Sequence, residues 1–327
     1  MTRLVFAIAV LLASVVSAAA QNVHVAVIVG LEGEPEHGEL FRRWANTLVD
    51  AASGRMAIPR ERIIYLTDQP SADSKATGRS TKEEIAKAFD QLARNAKADD
   101  VVFIVLIGHG TFESRVAKFN LRGPDMTPAE FAPLLKRIAA QHVVFVNTAS
   151  ASAPFIADLA GPGRTIVTAT RTGSERFATL FGGYFIDALT GETADVDRNR
   201  RVSVLEAFNV ARKEVATAYE RQGIMLTEHP LLEDGGDGEG SLEPAVEAKD
   251  GRVASVLALG SAADAEPLPS DPKLRQLYVE RRDLERRVEA LKLMKGGMDP
   301  AKYASELERV LTDLALKTKQ IREAGGR

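Results

Sequence analysis

The chain has 327 residues, 45% of them hydrophobic, and its 42 Lys+Arg nearly balance its 45 Asp+Glu, for a formal net charge of -3. This composition excludes a disordered or collagen-like chain, and so small a net charge gives no reason to expect a nucleic acid as partner. The chain has no cysteine, which excludes disulfide bonds, zinc-thiolate sites and every mechanism that depends on a cysteine thiolate.

The first twenty residues differ from the rest of the chain. Arg3 precedes an apolar stretch over residues 4–16, and small residues follow at 17–20. A basic start, a short apolar run and small closing residues are typical of a secretory signal peptide. We therefore predict cleavage after Ala20 and a mature protein that is periplasmic or extracellular, with an uncleaved membrane anchor as the alternative. No later segment is expected to span a membrane.

Residues 21–232 have the pattern of an α/β domain. Short β-branched runs alternate there with amphipathic helical segments, which predicts a mostly parallel sheet with helices on both faces. Helix starts are predicted at Ser80–Glu83 and Thr127–Glu130, because each has an N-cap residue followed by an early glutamate. The predicted strands are Val23–Val29, Ile63–Leu66, Val101–Ile107, Val143–Val146 and Thr165–Thr168.

The composition changes after residue 232. Acidic residues and glycines dominate residues 233–250, so we expect a loop or linker over 233–270. Asp271-Pro272 and Asp299-Pro300 predict two helix starts, and the glycines at 296 and 297 predict the end of the first helix. Residues 271–327 are thus expected to form an antiparallel, coiled-coil-like α-helical hairpin. Its apolar seam is either buried within the protein, which we favour, or presented to a protein partner.

Polar residues follow two of the predicted strands. Val101–Ile107 leads into His109-Gly110, and the next strand leads into a loop of small residues that includes Ser150 and Ser152. Ligands of open parallel sheets bind beyond the carboxyl ends of the strands. A His between glycines beside a serine-containing loop has the layout of a nucleophile and its base.

With these motifs in this order, the chain resembles the caspase-like cysteine peptidases, which include caspases, legumains and gingipains. In that family an apolar strand leads into His-Gly, as in Ile107–Gly110, and the following strand leads into the loop that carries the catalytic cysteine. Asn147–Ser152 occupies the place of that loop, and Ala149 falls at the position of the cysteine when the two are aligned without a gap. The resemblance covers residues 22–232 and implies a caspase-like fold.

The resemblance also implies that the peptidase chemistry is lost, because an alanine methyl can neither ionise nor attack a carbonyl. We expect a pseudopeptidase that binds a peptide or protein in the former substrate groove, with His109 as a vestigial base beside Gly110. The alternative is an active hydrolase in which Ser150 or Ser152 attacks with His109 as base. The candidate substrate-binding residues, near the relevant strand ends, are Arg115, Arg171 and Glu175.

A second candidate site lies between residues 195 and 206. Oxygen-bearing side chains follow there the spacing of an EF-hand calcium loop, although Arg200 stands where that loop needs glycine. We favour a simpler interpretation, a solvated turn before a helix that starts with a Ser203–Glu206 capping box. A calcium-stabilised structural module that acts through its hairpin is the third functional hypothesis, and no other cofactor is expected. The candidate calcium ligands are Asp195, Asp197, Asn199, Ser203 and Glu206.

Overall fold

The computed structural model describes residues 22–260, 268–295 and 298–326. The predicted signal peptide, residues 1–20, and the predicted helix end at 296 and 297 lie outside this part of the chain. Among the described residues, no helix is both long enough and apolar enough to cross a membrane.

A seven-stranded, mostly parallel sheet forms the centre of the molecule. The strands in chain order are β1 (Val23–Val29), β2 (Ile63–Thr67), β3 (Gly78–Arg79), β4 (Val101–Ile107), β5 (Gly110–Glu113), β6 (Val116–Phe119), β7 (His142–Asn147), β8 (Arg164–Thr168) and β9 (Leu231–Glu233). Within the sheet the order is β3-β2-β1-β4-β7-β8-β9, and only β9 is antiparallel to its neighbour. β5 and β6 form a separate antiparallel hairpin. The five predicted strands are confirmed, with ends within one residue of the prediction.

Helices cover both faces of the sheet. One face packs against α1 (Pro35–Ser53), α5 (Phe181–Thr190) and α6 (Val204–Gln222), and the other against α2 (Lys82–Asn95), α3 (Pro128–Lys136) and α4 (Phe155–Leu159). Alternate side chains of β1 and β4 enter the two cores, and both sets are buried. Burial on both faces explains why the strands are uninterrupted apolar runs in the sequence.

Two helices begin where the sequence predicts. The Thr81 side chain caps α2 by accepting a hydrogen bond from the backbone N–H of Glu84. Thr127 and Glu130 form a capping box at the start of α3, with Pro128 at the first helical position. These side chains satisfy backbone N–H groups that have no partner inside the helix.

The predicted helical hairpin is present at the C-terminal end of the described chain. Its helices are α7 (Pro272–Met294) and α8 (Pro300–Glu323), capped by the side chains of Asp271 and Asp299. The two helices contact each other through a small apolar cluster, so part of the apolar stripe is buried within the hairpin. Its buried members are Val288, Leu291 and Val310.

The acidic segment 234–260 has no helix or strand, in agreement with the expected loop, yet it packs on the α/β domain. Leu257 and Leu259 are buried in the core that includes α1 and α6. The buried Asp250 carboxylate accepts hydrogen bonds from the backbone of Asp234 and Gly235. The composition does not reveal this packing. The segment is held by hydrogen bonds from its backbone to carboxylates, and such bonds require no periodic pattern of apolar residues in the sequence.

Candidate functional site

The two motif segments meet at the carboxyl edge of the sheet. β4 and β7 are adjacent and parallel, with Leu106 paired to Asn147. Just beyond this pair, a Cβ atom placed on Gly110 would lie 3.3 Å from the Cβ of Ala149 and would overlap the carbonyl oxygen of Ser150. The predicted adjacency of the two strand ends is therefore confirmed, and Gly110 is needed for their close approach.

His109 lies half-buried against α1. Its ring centroid is 4.7 Å from that of His37 and 5.1 Å from that of Phe41. Burial, and to a lesser extent the neighbouring His37, lower the pKa of His109 below its usual value. The imidazole is therefore neutral at neutral pH, the state in which a ring nitrogen can accept a proton or a hydrogen bond.

Ala149 is only 1% exposed and belongs to the apolar cluster on the face covered by α2, α3 and α4. His109 instead contacts Phe41, which belongs to the core on the opposite face. The backbones of the two motifs are thus neighbours, whereas their side chains pack against different groups of residues. The alanine methyl offers no group that could exchange a proton with the imidazole.

The two loop serines are both buried and both bonded away from His109. The Ser150 hydroxyl donates to the carbonyl oxygen of Gly110 at 3.0 Å and accepts from its backbone N–H at 3.3 Å. The Ser152 hydroxyl lies 3.2 Å from the hydroxyl of Thr170. Within the described residues, no hydrogen bond joins either serine to His109. Each hydroxyl fixes the loop to a neighbouring segment, whereas an activated nucleophile is bonded to its base.

Glu175 connects three segments of the site. Its carbonyl oxygen accepts a hydrogen bond from Ala151 at 2.8 Å, and its carboxylate accepts one from the backbone N–H of Arg171 at 3.0 Å. The same carboxylate lies 2.7 Å from Nδ1 of His229. Arg171, Glu175 and His229 thus lie beside the loop that contains Ala149. A substrate-binding role for Arg171 and Glu175 stays a prediction, and His229 is a neighbour that the sequence does not reveal.

Arg115 lies apart from this group. It is exposed at the tip of the β5–β6 hairpin, with a φ of 66°. The hairpin approaches the site through Phe112, whose ring packs against Gly173. In the part of the chain that the structure describes, Arg115 does not contact Arg171 or Glu175, and its part in ligand binding stays a prediction.

Glu228 is a buried carboxylate that the sequence analysis also missed. Its two oxygens accept hydrogen bonds from the backbone N–H groups of Leu180 and Phe181, at 2.8 and 2.7 Å, where α5 begins. Burial raises the pKa of Glu228 to about 7, although these two hydrogen bonds act in the opposite direction. No local pattern reveals this cap, because it comes from a segment 47 residues further along the chain.

Two ion pairs fix the loops that follow β1 and β2, on the other side of His109. Arg42 lies 2.5 Å from the buried carboxylate of Glu32, which also accepts a hydrogen bond from Gln69 at 3.0 Å. Arg122 binds both carboxylate oxygens of the buried Asp68. Such charge-assisted pairs hold the positions of these two loops.

Residues 195–206 form a compact loop before α6. One carboxylate oxygen each from Asp195, Asp197 and Glu206 lies within 4.8 Å of the others. Asn199 donates hydrogen bonds to the first two carboxylates and so closes the turn. Ser203 and Glu206 form the predicted capping box at the start of α6, which is confirmed. The capping box accounts for two of the five candidate calcium ligands, and calcium binding stays a prediction.

The backbone of this loop is unusual at two arginines. Arg198 and Arg200 have φ values of 58° and 68°, both in the left-handed region. Arg200 stands at the position where an EF-hand loop has a glycine. The turn therefore forms although arginine stands in place of glycine, and the backbone at Arg200 is somewhat strained. Burial raises the pKa of Asp197, and the nearby charges of Glu206 and Asp195 add to this effect.

The sequence profile of the Peptidase C13 family matches residues 80–231. That range includes β4, β7, both motif segments and the loop from 195 to 206. A comparison with curated proteins found no match. The profile match agrees with the parallel sheet and with the His-Gly motif at the end of β4. Residues 80–231 are therefore similar to the Peptidase C13 family, a family of caspase-like peptidases, within a sequence that has no cysteine.

Proposed function

We propose that the protein is a secreted pseudopeptidase that binds a peptide or protein beyond the carboxyl ends of β4 and β7 without cleaving it. The observation that carries this proposal is the buried Ala149 beside the His109-Gly110 motif, in a chain without any thiol. Peptide cleavage by a cysteine peptidase needs a thiolate next to a histidine. Alanine at the position of the cysteine removes the sulfur atom that would attack the peptide bond. Export is part of the proposal because residues 1–20 have the pattern of a signal peptide.

The surroundings of Ala149 still offer groups that bind peptides. Phe177 is 72% exposed, in the loop that Glu175 attaches to Ala151. Arg171 and the Glu175–His229 pair provide a cation and hydrogen-bonding groups near the same loop. An exposed aromatic side chain beside charged groups is typical of a surface that anchors a protein ligand.

The competing hydrolase hypothesis requires one of the two loop serines to bond to His109. Ser150 would have to leave the backbone of Gly110, and Ser152 would have to leave Thr170. A nucleophile displaced by about 1 Å loses on the order of 100-fold in rate, and both hydroxyls are bonded elsewhere. These contacts favour a binding function.

Peptide binding is the direct test of the proposal. The mature protein, immobilised and incubated with a random peptide library, should retain a subset of intact peptides, whose affinity calorimetry then measures. We expect Phe177→Ala to weaken that affinity about tenfold or more, because it removes an exposed anchor. Leu316→Ala on α8, where the side chain is 55% exposed, is the matched control and should change nothing. No retained peptide, or equal losses in both variants, would refute binding at this site.

Calcium binding is a second candidate function, favoured by the three converging carboxylates of the 195–206 loop. We expect Ca2+ to raise the melting temperature with a midpoint near 1 mM, the weak range of extracellular calcium modules. Asp197→Asn should raise the melting temperature in the absence of calcium, since it removes like-charge repulsion, and should abolish the calcium response. Ser203→Ala should cost about 1 kcal/mol with or without calcium, through the lost cap. An unchanged melting temperature at about 10 mM Ca2+ would exclude the site.

A further inference from the structure

A cavity of about 430 Å³ lies between α6 and the chain that follows it. It is bounded by residues 209–216 of α6, by residues 226–230, which lead from α6 into β9, and by residues 242–243 of the acidic segment. A volume of this size is within the range of cavities that hold ligands. We call this cavity the α6 groove.

Much of the α6 groove is apolar. Ala216, Leu226, Pro230 and Leu242 line it, and the side chain of Leu242 is 37% exposed. Met225, the residue before Leu226, is 84% exposed. Exposed apolar side chains of this size in and beside a cavity are typical of a surface that contacts another molecule. An apolar side chain of a ligand would remove this surface from water, which favours binding.

Cations outnumber free carboxylates in the α6 groove. The side chain of Lys213 is exposed and forms no ion pair within the part of the chain that the structure describes. Arg212 lies 3.4 Å from Glu243, whose side chain is 82% exposed, and so solvated a pair is weak. Glu228 also lines the groove, but both of its oxygens accept hydrogen bonds from the backbone at the start of α5. A ligand carboxylate would therefore meet two cations and one loosely held acid.

The α6 groove adjoins the loop that we propose as the peptide-binding site. His229 lines the groove, and its Nδ1 lies 2.7 Å from the carboxylate of Glu175. The carbonyl oxygen of Glu175 accepts a hydrogen bond from Ala151, in the loop that contains Ala149. The groove and that loop are thus connected through one hydrogen-bonded pair of residues. A peptide is long enough to occupy both, which favours a peptide over a small amphipathic acid as the ligand of the groove.

We propose that the α6 groove binds part of the peptide or protein ligand and selects an apolar side chain that has an Asp or Glu beside it. This inference rests on the proposed function and narrows its ligand to acidic, partly apolar segments. The apolar side chain packs against Leu226 and Leu242, and the carboxylate lies near Lys213 and Arg212. Complementary charge at such a site contributes to selectivity more than to affinity.

The test compares the peptides that the wild type and Lys213→Glu retain from one random library, identified by mass spectrometry. The wild type should enrich peptides in which an apolar residue is next to Asp or Glu. Lys213→Glu should lose this acidic preference and favour Lys or Arg instead, because a ligand carboxylate would then face two acidic side chains. Lys302→Glu on α8 changes an exposed lysine elsewhere and should retain the same peptides as the wild type.

Calorimetry with one retained acidic peptide measures the two contributions separately. Replacing its acidic residue by the corresponding amide should weaken binding to the wild type about fivefold and should have little effect on binding to Lys213→Glu. Leu242→Ser should weaken binding of the acidic peptide about tenfold, because the apolar contact is lost. Leu316→Ser on α8, also at an exposed leucine, is the control and should leave the affinity unchanged.

Two failures can be told apart. If Phe177→Ala weakens peptide binding but the wild type and Lys213→Glu retain peptides of the same composition, this inference is overturned and the proposed function stands. If the wild type retains no peptide, both are overturned. Decanoate, a small amphipathic acid, is the competing probe. Decanoate binding that Lys213→Glu abolishes, together with unchanged peptide selection, would assign the groove to a fatty acid and would also overturn the inference.

Discussion

As the pH rises from about 4.5 to 7, Glu228 alone is expected to cost the folded domain about 3 kcal/mol of its free energy of unfolding. Its carboxyl group is 2% exposed and has a folded pKa of about 7, against an ordinary value of 4.5. The folded chain therefore holds a proton that the unfolded chain has already released in this range. That contribution is fully present below pH 4.5 and is lost as the pH rises through 7.

Other carboxyl groups of the domain act in the opposite direction. Burial alone would raise the pKa values of Asp73 and Asp100, but their hydrogen bonds outweigh it and lower both, so the stability that these groups contribute is present above the ordinary aspartate pKa of 3.8 and is lost only as the pH falls below it. The informative quantity is therefore the difference between two proteins. Urea unfolding at pH 4.5 to 8 measures the free energy of unfolding of the wild type and of Glu228→Gln. Plotted against pH, the two free energies should differ in slope up to pH 7 and run parallel above it.

The exposed Glu220→Gln on α6 removes the same charge and should leave the pH dependence of the wild type intact. Equal slopes for wild type and Glu228→Gln would show that Glu228 does not retain a proton in the folded state. Its two backbone hydrogen bonds at the start of α5 would then hold a carboxylate that stays ionised over the whole range.

Gly110→Ala is expected to destabilise the domain by about 3 kcal/mol. The added methyl group would overlap the carbonyl oxygen of Ser150 and approach that of Lys118 to 3.1 Å. Both neighbours are backbone atoms of packed segments, so neither can move aside as a flexible side chain would. The substitution should also break the paired hydrogen bonds between Ser150 and Gly110.

Gly78→Ala on the edge strand β3 is the matched control. Its added methyl group would meet the end of the Leu66 side chain at 3.2 Å, and that side chain can rotate. A cost below about 1 kcal/mol is expected there. Urea unfolding at one pH compares the two variants, and equal costs would mean that the His109-Gly110 motif and the loop from 147 to 155 are less tightly packed than their contacts indicate.

The sequence predicts the parallel sheet well because strands buried on both faces must be apolar throughout. It does not predict the β5–β6 hairpin, and the reason lies in the turn. Ser114 and Arg115 occupy it with φ values of 49° and 66°, where glycine or asparagine would have marked a hairpin. The sequence does not predict β9 either, since its three residues are too few to show an alternating or apolar pattern.

The sequence likewise predicts some residues of the candidate site and not others. His109 and Ala149 follow strands that the sequence identifies, so the order of motifs predicts that their backbones are adjacent. Glu228 and His229 reach the site from the chain beyond α6, after no recognisable motif. His37 reaches His109 from the first turn of α1. Tertiary contacts of this kind leave no trace in local spacing.

The most direct test of binding without cleavage is mass spectrometry of a peptide library after long incubation with the purified mature protein. We expect bound peptides to be recovered intact, with no new termini above the level of a protein-free sample. The reason is that Ala149 supplies no nucleophile and the serine hydroxyls are bonded to other groups. New peptide termini that disappear in His109→Ala, and also in Ser150→Ala or Ser152→Ala but not in Ser255→Ala, would contradict the pseudopeptidase account.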